Sequence, residues 1–196
     1  MAELRLKTPL RGEDIEKLSL MDTVYVSGTL YTARDEAHER ILNFLGEGKQ
    51  LPFNLEGGVI FHCGPLMKRI GDRWTLISGG PTTSSRMNDL EPQVIEKCSV
   101  KAVIGKGGMS DGVAEAMKKN KTAYLAFTGG AAALAAEKVK AVEGVHWLDL
   151  GMPEAVWVLR VEDFGPLTVA MVRGQSLYSS VNKEVKANLS RLIQRL

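Results

Sequence analysis

The sequence contains little cysteine: Cys63 and Cys98 are the two in 196 residues. They lie far apart, and neither belongs to a CxxC pair or to a Cys/His spacing typical of a metal site. Two thiols are also too few for the usual ligand set of an iron–sulfur cluster. We therefore expect two small, buried, reduced side chains, and we predict no metal ligands in this chain.

The sequence also lacks an excess of one charge and any long apolar run. Lys and Arg number 25 against 23 Asp and Glu, so the net charge of +2 provides no broad basic field for nucleic acid or an anionic membrane. No segment reaches the roughly 18 apolar residues of a membrane span, and the opening "MAELRLKTPLRGEDIEKL" has no signal-peptide core. We expect a cytoplasmic protein.

Short β-branched runs alternate with Ala-rich amphipathic segments from about residue 99: "SVKAVIG", "SDGVAEAMKKN", "TAYLAF", "TGGAAALAAEKVKAV" and "VHWLDL". This alternation is typical of βαβ units in a parallel or mixed sheet. No repeat or linker divides the chain. We predict a single α/β domain over residues 1–196, with a mixed sheet and some strands folded over it as a second layer.

Further elements flank this region. The runs "DTVYVSGTLYTA", "GGVIFHCG" and "RWTLIS" predict strands, and "AVWVLRVEDF" and "LTVAMVRG" predict two strands joined by a turn at Gly165-Pro166. Ser110 or Asp111 is expected to cap one helix and Thr128 the next. The chain should end in a helix with Val185, Leu189 and Leu192 on one face.

The first polar segment is "YTARDEAHERILNFLGEG", residues 31–48. Thr32 and Asp35 have the spacing of a capping box, which places Arg34 in the first turn of a helix. The helix dipole opposes a cation there by about 0.3–1 kcal/mol, so Arg34 either binds an anion or pairs with Asp35, Glu36 or solvent. His38, one turn further on, is expected to be an orienting hydrogen-bonding residue.

The second segment is "SGGPTTSSRMNDLEP", residues 78–92. Two glycines and a proline follow a strand, and four hydroxyl side chains and Arg86 precede a helical segment. A strand, a glycine turn and a helix start form a common frame for an anion, and Arg86 adds a planar fork for a carboxylate. An ordinary polar turn explains the same residues equally well.

The third segment is "VIGKGGMSDG", residues 103–112. It has neither the GxxxxGK[ST] order of a nucleotide P-loop nor the last glycine of GxGxxG, so nucleotide binding is disfavoured. Lys106 follows a predicted strand, where open α/β sheets bind ligands, although a plain turn is an equal alternative. Arg34, Arg86 and Lys106 together suggest a pocket for a small dianion such as a dicarboxylate.

Three ordered motifs resemble a known family. "ARDEAH" at 33–38, "GPTTSSRM" at 80–87 and "KGGM" at 106–109 are similar to the β subunit of the class I iron–sulfur hydro-lyases, fumarase and L-tartrate dehydratase, and "GMPEAVW" at 151–157 resembles a further family segment. The resemblance implies a three-layered swivelling β/β/α domain. It also implies an α subunit that carries a 4Fe-4S cluster on three cysteines, in a hetero-oligomer such as α2β2.

The resemblance also implies roles for particular residues. Arg34, Thr83, Arg86 and Lys106 match the family's carboxylate-binding residues, and Thr82 matches the proposed base that takes a proton from the carbon next to a carboxylate. A carboxylate of the partner remains an alternative base. The favoured function is reversible hydration of fumarate to L-malate by the two-subunit enzyme. The alternatives are L-tartrate dehydration and a non-catalytic domain that binds a dicarboxylate.

Overall fold

A computed structural model describes residues 1–193, apart from the side chains at positions 180, 182, 183, 186, 187 and 192. The strands are Glu3–Lys7 (β1), Thr23–Thr32 (β2), Val59–Phe61 (β3), Leu66–Ile70 (β4), Arg73–Ser78 (β5), Ala102–Gly105 (β6), Ala123–Ala126 (β7), Val139–His146 (β8), Val156–Val172 (β9) and Gln175–Ser176 (β10). The α-helices are Gly12–Glu16 (α1), Asp35–Gly46 (α2), Glu91–Cys98 (α3), Asp111–Asn120 (α4), Ala132–Lys138 (α5) and Leu177–Ile193 (α6).

The main sheet is mixed, as predicted. Strands β2, β3, β6 and β7 pair in parallel in that order, and β1 pairs in parallel with β2. The long strand β9 is antiparallel and pairs with both β7 and β2, so it connects the two sides of the parallel set. Strand β8 pairs with β9, and β4 and β5 form a separate ribbon.

Alternation of side chains along the short parallel strands explains the layers. In β3, Val59 and Phe61 belong to one apolar cluster, whereas Ile60 between them belongs to another. The first cluster includes Leu159 and Phe164 of β9, so it fills the space between the parallel strands and the antiparallel layer. The second cluster contains residues of α2, α3 and α4 that cover the opposite face. The result is a three-layered α/β fold, which confirms the predicted class.

The prediction of two strands joined by a turn at Gly165-Pro166 is wrong. Both halves lie in β9 and run antiparallel to β2, but the register shifts between the pairs Val26–Phe164 and Val24–Leu167. The dipeptide therefore forms an irregularity within one strand. A bulge accommodates proline because its residues are left out of the ladder, so the missing N–H group costs no strand-to-strand hydrogen bond.

The predicted helix starts were right at one position and wrong at another. Ser110 caps α4, and its hydroxyl accepts a hydrogen bond of 3.5 Å from the Val113 N–H group. Thr128 caps no helix, because α5 begins only at Ala132 and has no side-chain cap. The Ala-rich segment at 128–142, which the pattern predicts as a helix, is helical over a shorter range, since β8 starts at Val139 and its pairing with β9 prevails over local helix propensity.

The predicted terminal helix is confirmed as α6. Val185 and Leu189 are 57% and 55% exposed, and the Leu192 side chain lies outside the described residues. Within positions 1–193, no helix combines the length and the apolar character needed to cross a membrane.

Candidate functional site

The predicted site residues gather at the carboxyl ends of three neighbouring parallel strands. Arg34 follows β2, His62 follows β3 and Lys106 follows β6, and these strands are adjacent in the sheet. The segment 80–87 crosses this edge. The Thr82 N–H group donates to the His62 carbonyl at 2.7 Å, and the Lys106 N–H group donates to the Thr82 carbonyl at 3.3 Å. Backbone hydrogen bonds thus join the second and third motifs.

Arg34 lies at the N-cap of α2, one residue before the first helical turn. The predicted capping box is wrong, because Thr32 is the last residue of β2 and its hydroxyl donates to the Ala155 carbonyl at 3.2 Å instead. The Arg34 side chain is 19% exposed, and its Nε atom lies 3.2 Å from Glu154 Oε1. Its other neighbour is Asp35, with an N–O distance of 3.9 Å. Pairing with Asp35 was one of the predicted alternatives, whereas the role of Glu154 was missed.

Arg86 lies beside the same aspartate. Its Nε atom donates to Asp35 Oδ1 at 3.0 Å, and its side chain is 51% exposed. Asp35 therefore lies between two guanidinium groups that the sequence places in different motifs. The structure brings Arg34 and Arg86 together through a shared carboxylate, and Arg86 pairs with no carboxylate other than Asp35 among the described residues.

Lys106 and the two threonines have polar groups available for a ligand. Lys106 is half-buried and forms no ion pair within the described part of the chain. Its side chain passes the turn after β7, since a Cβ atom at Gly129 would lie 3.9 Å from Lys106 Cδ. Thr82 is half-buried and Thr83 is exposed, and neither hydroxyl forms a hydrogen bond with a described residue. All five predicted site residues thus lie at one edge of the sheet.

Two carboxylates partly balance the three cations. Asp35 pairs with both arginines and Glu154 with Arg34. Burial raises the pKa of Glu154, and the Arg34 guanidinium offsets this only in part. A bound dicarboxylate would therefore compete with internal carboxylates for Arg34 and Arg86, but not for Lys106.

Beneath this edge lies a set of five fully buried residues that we call the buried polar chain: His38, Glu91, His62, Ser84 and Tyr124. Glu91 Oε2 lies 3.1 Å from His38 Nε2 and 2.8 Å from His62 Nε2. The other ring nitrogen of His62 is 2.9 Å from the Ser84 hydroxyl, which accepts from the Tyr124 hydroxyl at 2.9 Å. His38 Nδ1 lies 2.8 Å from the Arg34 carbonyl.

The histidines and the glutamate shift each other's ionisation. Burial raises the pKa of Glu91, yet the two imidazoles lower it to about 2. Burial lowers the pKa of His38, but the Glu91 carboxylate reverses this and the net shift is upward. At His62 burial prevails over the same carboxylate, so its pKa falls. Each ring nitrogen of His38 faces an acceptor, the Arg34 carbonyl or the Glu91 carboxylate, so the geometry favours a proton on both, whereas His62 needs a proton only on Nε2.

Of these residues, only His38 was expected from the sequence, as an orienting hydrogen-bonding residue, and it does form hydrogen bonds through both ring nitrogens. Glu91, His62 and Glu154 were not predicted. His62 had a usable signal, because it follows a buried strand just as Arg34 and Lys106 do. Glu91 had none, since it follows Asp89 in a polar segment that reads as a solvated helix start.

The two cysteines are buried, as expected. Burial raises the pKa of Cys63 to about 12 and that of Cys98 to about 11, so both are thiols at neutral pH. His38, His62 and Glu91 are the group in the described residues whose ligand atoms, all within 4.8 Å of one another, could hold a metal ion.

The fold and the site define an α/β domain with a cationic, hydroxyl-rich edge suited to small carboxylates. The sequence model of the family described as "Fumarase C-terminus" matches residues 1–181. The chain is 42% identical over 179 residues to the L(+)-tartrate dehydratase subunit beta of Escherichia coli K12, covering 91% of this chain and 88% of that protein. The chain belongs to the fumarase C-terminus family.

Two other relatives extend this comparison. A protein of Methanocaldococcus jannaschii, provisionally named L(+)-tartrate dehydratase subunit beta, is 48% identical over 186 residues, which are 94% of this chain and 95% of that protein. A protein of Geobacillus stearothermophilus, provisionally named fumarate hydratase class I, is 37% identical over 188 residues. That match covers 95% of this chain but 36% of the longer relative.

Proposed function

We propose that this chain is the β subunit of a two-subunit iron–sulfur hydro-lyase that adds water to, or removes it from, a four-carbon dicarboxylate. The observation that carries the proposal is the convergence of Arg34, Arg86 and Lys106 at one sheet edge with two threonine hydroxyls that form no hydrogen bond to a described residue. Relatives named as a subunit beta support a partner chain.

Binding of the two substrate carboxylates falls to Arg34, Arg86, Lys106 and Thr83. A guanidinium presents a planar pair of donors that matches a carboxylate, whereas an ammonium acts as a compact charge. The Thr83 hydroxyl can donate one further hydrogen bond. When a proton leaves the carbon next to a carboxylate, negative charge spreads onto that carboxylate, and the fixed cations stabilise it.

Thr82 is the proposed base of this chain. A threonine hydroxyl is a poor base unless its alkoxide is stabilised, and Lys106 and Arg86 are the nearby cations that could do so. The hydroxyl has no histidine or carboxylate partner within the described residues, so this chain supplies no second group to remove its proton. A carboxylate of the partner subunit is the alternative base and the natural general acid.

The 4Fe-4S cluster is assigned to the α subunit. Cys63 and Cys98 are too few for the usual ligand set of a cluster, and neither belongs to a group of potential metal ligands among the described residues, which supports that division. When bound in the partner, the cluster would supply a Lewis acid for the hydroxyl group that is gained or lost. The residues of this chain would hold the carboxylates and move the proton.

Two substrates are candidates. The sequence motifs favour fumarate and L-malate, and the fumarate hydratase relative at 37% identity supports them. L-Tartrate is the second candidate, and the relatives at 48% and 42% identity favour it because their names specify tartrate dehydratase. Of the two, tartrate has the stronger support from identity.

The experiment is anaerobic co-expression with the candidate α subunit, followed by turnover of fumarate, L-malate and L-tartrate side by side. We expect the chains to co-purify and the complex alone to turn over one or more of these substrates. Hydro-lyase activity of this chain by itself, free of iron, would contradict the proposal. Dicarboxylate binding by a chain that never associates with the α subunit would instead favour a stand-alone binding domain.

A further inference from the structure

The hydrogen bonds of the buried polar chain have one consistent assignment of donors and acceptors. An ionised Glu91 can only accept, so His38 and His62 both donate to it through Nε2–H. His38 also donates through Nδ1–H to the Arg34 carbonyl. His62, with its one proton on Nε2, accepts at Nδ1 from the Ser84 hydroxyl, which in turn accepts from Tyr124. Each link therefore has one donor and one acceptor.

The sheet leaves room for this arrangement at Gly105, the last residue of β6. A Cβ atom at this position would overlap Ser84 Oγ and lie 3.2 Å from both His62 Nδ1 and the Tyr124 hydroxyl. Gly105 is not needed for an unusual backbone conformation, since its φ angle lies outside the left-handed region. Glycine at this position leaves the space that the side chains of Ser84, His62 and Tyr124 occupy.

The buried polar chain touches every motif that bears a site cation. His38 holds the Arg34 carbonyl, and the His62 carbonyl accepts from the Thr82 N–H group. The Ser84 N–H group donates to the Lys106 carbonyl at 3.0 Å.

We propose that the buried polar chain is a positioning device that fixes the three carboxylate-binding motifs relative to one another for catalysis. The inference rests on the proposed function and assigns Glu91, His62, Ser84 and Tyr124, with His38, as positioning residues. Burying an ionised pair costs several kcal/mol of desolvation, and apolar residues of similar volume are often as stable or more so. The buried polar chain instead contributes hydrogen bonds, which are directional, between residues of all three motifs.

The test uses two conservative variants with matched controls. Glu91→Gln removes the central charge, and Glu96→Gln makes the same change on the exposed side of α3, where Glu96 pairs with Lys119. Tyr124→Phe removes one buried hydroxyl, and Tyr25→Phe removes a tyrosine hydroxyl on β2.

The first readout is amide hydrogen exchange in the full-length chain, followed by NMR. Losing a buried hydrogen bond of about 1–3 kcal/mol should speed exchange at Thr82, Ser84 and Lys106 by about 5- to 150-fold. Amides of β2 and β9 should keep their rates, as should all amides in both controls. An equal acceleration at every amide, or none, would overturn the inference.

The second readout is kcat/KM of the reconstituted complex, which should fall about 10-fold or more in Glu91→Gln and Tyr124→Phe but not in the controls. An unchanged kcat/KM would overturn the positioning role. A wild-type complex without turnover rejects the proposed function, whereas the exchange result on the chain still stands by itself. A metal content of about one ion per wild-type chain that is lost in Glu91→Gln would overturn the inference, because these residues would then form a metal site.

Discussion

Gly105→Ala probes the buried polar chain through one added methyl group. The new Cβ atom would occupy the space of Ser84 Oγ and press on His62 and Tyr124. Ser84 would have to move, which breaks its hydrogen bonds of 2.9 Å to each of them. The backbone itself tolerates alanine, because the φ angle at this position is not left-handed.

The size of the effect follows from these contacts. Two buried hydrogen bonds left unmade cost about 1–3 kcal/mol each. Replacing glycine by alanine at a compatible position returns about 0.4–1 kcal/mol by restricting the unfolded chain. The net expectation is a loss of about 3 kcal/mol in the free energy of unfolding.

Urea unfolding of the isolated chain measures this loss, with an unchanged m-value as the sign that the folded state stays compact. Gly112→Ala in α4 is the matched control, since the nearest atom to its Cβ would be Ser110 Oγ at 3.8 Å. The control should be more stable by about 0.4–1 kcal/mol. A Gly105→Ala variant as stable as the control would refute the reasoning.

Three further predictions concern the site and its support. Thr82→Ala should lower kcat of the reconstituted complex by about 100-fold or more with little change in KM, and a change in KM alone would make Thr82 a binding residue. Glu154→Gln should lower KM by about 2- to 5-fold, because it removes a carboxylate that competes for Arg34, whereas a rise in KM would mean that Glu154 orients Arg34. The pKa of Glu91 is about 2 in the folded chain against an ordinary value of 4.5, so its ionised form stabilises the fold above pH 4.5 and this contribution is lost as the pH falls toward 2. Denaturant unfolding of wild type and Glu91→Gln measures this contribution, and the difference between their free energies of unfolding should shrink as the pH falls from 4.5 toward 2. A constant difference over that range would show that Glu91 does not titrate there.

The sequence predicted those strands whose pattern is local. Strand β2 alternates between buried and half-buried positions along its whole length, and β3, β6 and β7 are short buried runs. Strand β8 was misplaced, because residues 139–142 read as the end of an Ala-rich helix and only Val145 and His146 of β8 lie in the predicted strand run "VHWLDL". Strand β9 was divided in two, since Gly165-Pro166 is a turn signal whose outcome depends on distant pairing with β2.

The residues of the candidate site were likewise predictable only in part. Arg34, Arg86 and Lys106 could be predicted because each stands beside a glycine turn or a helix start. Their internal partners could not, as Glu154 reaches Arg34 from a segment far along the chain. Glu91 and Glu96 lie on one short helix, yet the first is fully buried and the second exposed. Only the packing of α3 against the sheet separates them.

The most direct test of the central claim, that this chain supplies the carboxylate-binding half of a hydro-lyase site, is kcat/KM of the reconstituted complex carrying Arg86→Lys. The substitution keeps the charge but removes the planar fork, so we expect a fall of about 10- to 100-fold. Arg160→Lys, at an exposed ion pair with Glu143 on the antiparallel layer, is the control and should be unaffected. Equal kcat/KM values for wild type and Arg86→Lys would contradict the account.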